Sequence, residues 1–212
     1  MTERGQITRE MIVAAARQLV ETEGVEALSM RRLATVLDTK PMTLYHYVPS
    51  KAELLMLVLG QIAAEITWTP PTGSPEQRMV GIVVDMADRL AEVSWIVPIL
   101  RGGSYIGPSA LRLVEEFVTA AHEAGADDLQ ALSLWRSLWW LISSELSFRA
   151  AAAARPDGEI PWYDRLDPAD LPEVPTVRSL LPEWGRYSAA YDLGAAVRAQ
   201  VRGSIGEWRA GG

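Results

Sequence analysis

The sequence predicts an all-α protein, with a small helical domain at the N-terminus and a larger helical domain after it. Three observations carry this. Apolar residues recur at i, i+3, i+4 and i+7 in one segment after another, the spacing of a buried helical stripe. Most of those segments open on a residue suited to cap a helix and stop at glycine or proline. Nowhere do apolar and polar residues alternate long enough to suggest a strand. With 212 residues, 49% of them hydrophobic, the chain can bury a sizeable core in one large or two small domains.

Taken in order, a first helix is expected from Thr8, as N-cap, to Glu23, with Gly24 as its stop and Ile12, Ala15, Ala16, Leu19 and Val20 inside. Ser29 then caps a short helix whose stripe is Met30, Leu33, Ala34 and Leu37. After the polar Asp38-Thr39 turn, Pro41 begins a third helix at the position where its missing N–H costs nothing. Leu44 and Val48 point inward from it. Lys40, Met42, Thr43, His46 and Tyr47 are left outside, with Tyr45 at the boundary. Ser50-Lys51-Ala52-Glu53 reads as a capping box opening a fourth helix, expected to end near Trp68 before the breaker Pro70-Pro71-Thr72-Gly73. Two short helices joined by a tight turn, the second exposed and rich in hydrogen-bonding side chains, make a helix-turn-helix that fits a DNA major groove. The expected division is residues 1–50 for this domain, 50–67 for the connecting helix and 68–212 for the rest.

Beyond the breaker, Ser74-Pro75-Glu76-Gln77 is a second capping box. The helix that follows reaches about Glu92 and buries Met79, Val83, Met86, Ala87 and Leu90. A short apolar piece from Trp95 to Leu100 precedes a helix from about Pro108 to Ala124, with Leu111, Val114, Val118 and Ala121 inside and Gly125 as the stop. Asp127 to Gln130 opens the longest helix, to about Ala154, which is apolar nearly all round. Such a helix must be buried nearly all round, one side on its own core and the other on a second subunit. The last helix, about Tyr187 to Trp208, shows the same excess. Leu134, Leu138 and Leu141 of the long helix, with Tyr191, Val197, Val201 and Ile205 of the last, are therefore the expected homodimer interface. Between them lies a proline-rich, acidic stretch, 155–186, too apolar at Trp162, Tyr163, Leu180, Leu181 and Trp184 for a plain linker; it is expected to lie over the body or reach the partner.

From about Thr8 to Ile66 the chain resembles the DNA-binding domain of the TetR family of one-component bacterial repressors, most densely in TLYHYVPSK at Thr43–Lys51. It departs from the family in the turn, where Gly and a small apolar residue are usual and Asp38 and Thr39 stand here. Asp tolerates left-handed backbone better than most residues, and Thr39 is expected to cap the third helix in exchange. The resemblance implies double-stranded operator DNA as partner. Lys40, Met42, Thr43 and His46 are the candidates for base edges, Thr43 and Met42 being able to meet a thymine methyl. Tyr45, Tyr47 and Lys51 resemble family positions that hold phosphates, and Arg31, with Arg4, Arg9 and Arg32, stands where a backbone contact is possible.

The resemblance also implies a ligand cavity in the larger domain. Trp68, Met86, Trp95 and Ile99, with Tyr105, Phe117, Trp135 and Trp139, are the candidates to line it, and aromatic walls of this kind suit a small hydrophobic or aromatic effector. Glycine-rich phosphate loops and a GxSxG nucleophile motif are absent from the sequence. His46 and His122 have no ligand partner at metal spacing, and there is no cysteine. Glu145 is read as an i,i+4 partner of Arg149 rather than as a general base. No enzyme activity, catalytic residue, metal or cofactor is expected, and no membrane association; the location expected is cytoplasmic. The charge is unevenly spread: residues 1–60 carry seven basic and seven acidic side chains, so the whole net charge of −7 belongs to the rest. An acidic body is repelled by phosphate and the neutral end is not. The reading is a ligand-responsive DNA-binding regulator, a repressor released from a palindromic operator. The alternative is a DNA-binding protein governed by a protein partner or by no small effector at all.

Overall fold

Capping chemistry decides where the helices begin. The structure, a computed structural model, describes residues 7–101, 108–156 and 158–211. Its helices are α1 Arg9–Glu23, α2 Met30–Val36, α3 Pro41–Tyr47, α4 Lys51–Glu65, α5 Pro75–Glu92, α6 Val97–Arg101, α7 Pro108–Glu123, α8 Asp128–Ala153, α9 Pro175–Leu180, α10 Trp184–Ala189 and α11 Leu193–Gly211, and there is no strand among the described residues. Thr8, Ser29 and Ser50 each accept a hydrogen bond from the backbone N–H three residues on, at 3.1–3.3 Å. Ser74 with Gln77 and Asp127 with Gln130 form complete reciprocal boxes. The box expected at Ser50 is only half made, because the Glu53 carboxylate goes to Arg9 instead.

Two boundaries differ from expectation. α4 stops at Glu65, before Trp68. The last helix begins at Leu193 rather than Tyr187, because the Asp192 carboxylate accepts from the Ala195 N–H at 2.9 Å and starts a new helix there. Tyr187 sits in the separate short helix α10.

α1 packs on α2 and α4, and α2 on α3. In the larger part α5 lies against α7, α8 and α11, while α4 reaches α7. The buried apolar residues form one continuous cluster from Ile12 to Trp208. On α7 the inward side is Phe117, Ala120 and Ala121, and Leu111 is exposed rather than buried. α8 turns one stripe inward, namely Ala131, Leu134, Leu138, Ile142 and Leu146. This corrects the expected dimer interface. Leu134 and Leu138 belong to the chain's own core, as do Val197, Val201 and Ile205 of α11, each no more than 7% exposed within a single chain. A helix apolar all round does not reveal which side its own subunit takes. Leu141 is half-buried and Tyr191 exposed, so of the seven residues only these two remain at the surface. The proline-rich stretch folds partly on itself, the Trp162 ring standing edge-on to Tyr163 at 5.6 Å and to Trp184 at 5.3 Å.

Candidate nucleic-acid interface

The turn between α2 and α3 is closed by backbone bonds. The Thr39 N–H reaches back to the Ala34 carbonyl at 2.9 Å, the six-to-one bond of a helix end that needs one left-handed residue. Asp38 supplies it with φ +46°, the only non-glycine residue at positive φ among those described. Thr39 does not cap α3, contrary to expectation. The N-cap is Lys40, whose side chain makes no capping bond, and Pro41 at the first position leaves one orphan donor fewer to satisfy.

On α3, Leu44 and Val48 are fully buried and fix the roll of the helix. Lys40, Met42, Tyr45 and His46 then face outward, Met42 with 76% of its surface exposed, and Thr43 is half-buried beside them. Tyr45 and Tyr47 exchange their expected places. Tyr47, three residues after Leu44 and so near the same face, packs partly against the core, and it meets the His46 ring edge-on at 6.1 Å.

The arginines of α1 and α2 are largely committed. Arg9 bonds Glu53 at 2.8 Å, Arg32 bonds Glu23 at 3.0 Å, and Arg17 bonds Glu65 at 2.6 Å and Glu21 at 2.8 Å. The Arg17 hydrogen bond holds the Glu65 carboxyl below the usual carboxylate range, and the arginine is raised in return. Glu10, in the first turn of α1, is lowered by a backbone N–H and by Thr8. Lys51 donates to the Val25 carbonyl at 3.4 Å, tying the start of α4 to the turn before α2. Arg31 and Lys40 are exposed and make no ion pair among the described residues. Arg4 lies outside the described residues.

In the body, the expected cavity residues are mostly packing. Met86, Ile99 and Phe117 are buried, and Phe117 meets Trp135 edge-on with ring centres 5.1 Å apart. Trp68, Trp95, Trp135 and Trp139 are half-buried against the same core, and Tyr105 lies outside the described residues. The Trp68 indole N–H is buried and finds no acceptor among the described residues. Open space is found elsewhere. A groove of about 650 Å³ runs between α8, the end of α9, α10 and the link that follows α10, lined by Glu145, Phe148, Leu180, Trp184, Tyr187, Ser188 and Tyr191. A second lies along α8 at Ser137, Trp140, Leu141 and Ser144. Burial and the nearby Glu145 carboxylate push the Tyr191 phenol up. Glu145 bonds Arg149 at 2.8 Å, as their spacing predicts. Sequence reasoning reached this surface only at Leu141 and Tyr191; the further signal was the aromatics Trp140 and Phe148, lying off the inward stripe of α8. Among the described residues no group of His, Cys, Asp and Glu is gathered as for a metal, and no helix is long and apolar enough to cross a membrane.

A chain that is helical throughout its described residues, with a short solvent-facing helix set by a tight turn on a three-helix base, has the build of a helix-turn-helix protein. Residues 12–57 match the model of the family described as bacterial regulatory proteins, tetR family. It is 31% identical over 129 residues to the HTH-type transcriptional repressor DrrR1 of Streptomyces coeruleorubidus, a match spanning 60% of this chain and 48% of the relative. The chain thus spans about half the length of that relative. An HTH-type transcriptional regulator of Saccharopolyspora erythraea is 28% identical over 196 residues, 89% of this chain and 81% of the relative. In fold it is similar to ActR of Streptomyces coelicolor, with TM-score 0.68 and 21% identity to the apo form over 97% of this chain and 98% of that one. To ActR in complex with actinorhodin the values are 0.65 and 22%, over 98% and 99%.

Proposed function

We propose that the chain is a DNA-binding transcriptional regulator, a repressor that binds a palindromic operator as a homodimer and leaves it when a small hydrophobic or aromatic molecule binds the helical body. The observation that carries the reading is α3, anchored by Leu44 and Val48 and offering Lys40, Met42, Tyr45 and His46 to the outside. In a dimer the two copies of α3 would enter successive major grooves about 34–36 Å apart. Thr43 and Met42 would meet thymine methyls, and Tyr45, Tyr47, Lys51 and Arg31 would hold phosphates. The dimer face we assign is the outer side of α8 with the link before α11, where Trp140, Leu141, Phe148 and Tyr191 stand at the surface. The relative from S. coeruleorubidus is named a repressor, and ActR is known in complex with actinorhodin; both support the reading. So does the Trp68 indole N–H, which an effector's acceptor would satisfy at the joint between α4 and α5. An effector need shift the equilibrium by only about 1–3 kcal/mol to release DNA.

The test is binding of a fluorescent duplex selected from a random pool by the wild-type protein. Tyr45→Ala with Lys40→Ala is expected to weaken it by about 1–3 kcal/mol per lost contact while leaving the oligomer mass unchanged. Full affinity in the double variant overturns the assignment of this face. A second reading, control by a protein partner or by no effector, is favoured by one observation: Phe117 and Trp135 pack ring to ring, with Met86 and Ile99 buried, where a cavity was expected. Native mass spectrometry of the purified protein against a panel of planar aromatic compounds separates the two. Bound compound that also releases the duplex supports the first reading, and none that does so supports the second.

A further inference from the structure

A domain that binds a polyanion gains from excess positive charge, yet residues 1–60 of this chain are neutral overall. The structure gives that balance a geometry. Of the arginines described in this part, Arg9 is bonded to Glu53 and Arg32 to Glu23, the first pair joining α1 to the start of α4 and the second joining the end of α1 to the start of α2. Glu53 stands in the first turn of α4, directly after the α3–α4 corner, and draws the first residue of α1 to that corner. Lys51, two residues earlier, bonds the Val25 carbonyl, which brings the turn between Glu23 and α2 against the same corner. Arg32 is in the first turn of α2 and is held there by Glu23 at the end of α1. All four side chains are 39–49% exposed, so each pair is open to solvent and within reach of an approaching polyanion.

We propose that Glu53 and Glu23 are internal counter-ions which hold Arg9 and Arg32 off the phosphate backbone, and so set the margin between specific and non-specific DNA binding. The inference rests on the DNA-binding reading above and deepens it. Non-specific affinity comes almost wholly from phosphate neutralisation, whereas base contacts add only at the right sequence. With two arginines neutralised within the domain, the phosphate contacts fall to Arg31, Lys40 and Lys51, and discrimination falls to the outward face of α3. The carboxylates also repel phosphate directly, which strengthens the effect on wrong sequences.

The experiment measures binding of the selected duplex and of a scrambled duplex across a salt series. It uses the full chain as wild type, Glu23→Gln, Glu53→Gln and the double variant, with circular dichroism as the check on folding. Each phosphate newly neutralised steepens the dependence of log K on log salt by about 0.9. Two freed arginines per subunit are therefore expected to steepen the double variant's slope by about 3–4 in a dimer. Its affinity for the scrambled duplex is expected to rise at least about tenfold near 100 mM salt, by the same counter-ion release, and the ratio of specific to non-specific affinity to fall. Arg9→Gln with Arg32→Gln is expected to leave the wild-type slope on the scrambled duplex unchanged. An unchanged slope in the carboxamide variants overturns the proposal, because the arginines then exchange partners freely on DNA. A shallower wild-type slope in the arginine variant overturns it in the same way. If the wild type retains no duplex from the pool, the DNA-binding reading fails first and takes the inference with it.

Discussion

Phe117 shows what a single side chain contributes here. It is fully buried between α5, α7 and α8 and carries the Trp135 ring on its edge. Phe117→Ala is expected to cost about 3–5 kcal/mol through lost burial and an unfilled cavity, read from the urea midpoint. Glu65 works by charge instead. Its carboxyl is lowered in the fold by Arg17, so it contributes stability above the unfolded carboxyl value of about 4.3 and loses it as pH falls through the lower folded value. The acid limb of the stability curve is therefore expected to be shallower in Glu65→Gln than in the wild type. Identical limbs, from urea melts between pH 3 and pH 7, count against the pairing. Both residues of this pair are reached by solvent, so its contribution is expected to fade with added salt.

At the scale of elements, the turn between α2 and α3 depends on one backbone angle. Asp38 holds a conformation that L residues avoid at a cost of about 1–2 kcal/mol, although Asp bears it better than most. Asp38→Gly is expected to keep or raise the melting temperature, with a gain of up to about 1 kcal/mol, and Asp38→Val to lower it by about 1–2 kcal/mol. Thermal melts of the two variants decide the matter; a destabilised glycine variant would mean that the Asp38 side chain does more than tolerate the angle. The same turn aims α3. Because Leu44 and Val48 set the roll of that helix, a shift at Asp38 would move Met42 and His46 together.

For the whole molecule, the dimer proposed above would assemble on the side of α8 that folding leaves exposed. Leu138 of α8 and Val201 of α11 face the chain's own core at 0% exposure, whereas Trp140 and Phe148 of α8 are 43% and 56% exposed. Val201→Glu is therefore expected to unfold the chain, since it places an unpaired charge in the core. Trp140→Glu with Phe148→Glu is expected to keep the helical circular dichroism and reduce the sedimenting mass to that of a monomer. A dimer surviving in the second variant would move the interface away from α8. The charge is polarised as well, neutral in the first 60 residues and −7 beyond them, which favours approach to a polyanion with α3 leading.

The principal helices, most of their caps and most of the inward residues of α1 to α5 follow from the order of residues alone, because capping and 3.6-residue periodicity act within a few positions of each other. Ser74-Gln77, Asp127-Gln130, the left-handed Asp38 and the buried Leu44 and Val48 all belong to that local class. The outward part of α3 is nearly as legible, and the exchange of Tyr45 with Tyr47 came only from the roll those two anchors impose. The side of α8 and α11 that faces the core, the packing of Phe117 on Trp135 where a cavity was expected, and the pairing of Arg9 with Glu53 were decided by tertiary structure. Where a helix is apolar on every side, or an arginine has several carboxylates within reach, the neighbours that choose among them lie tens of residues away in the chain. Only packing brings them into contact.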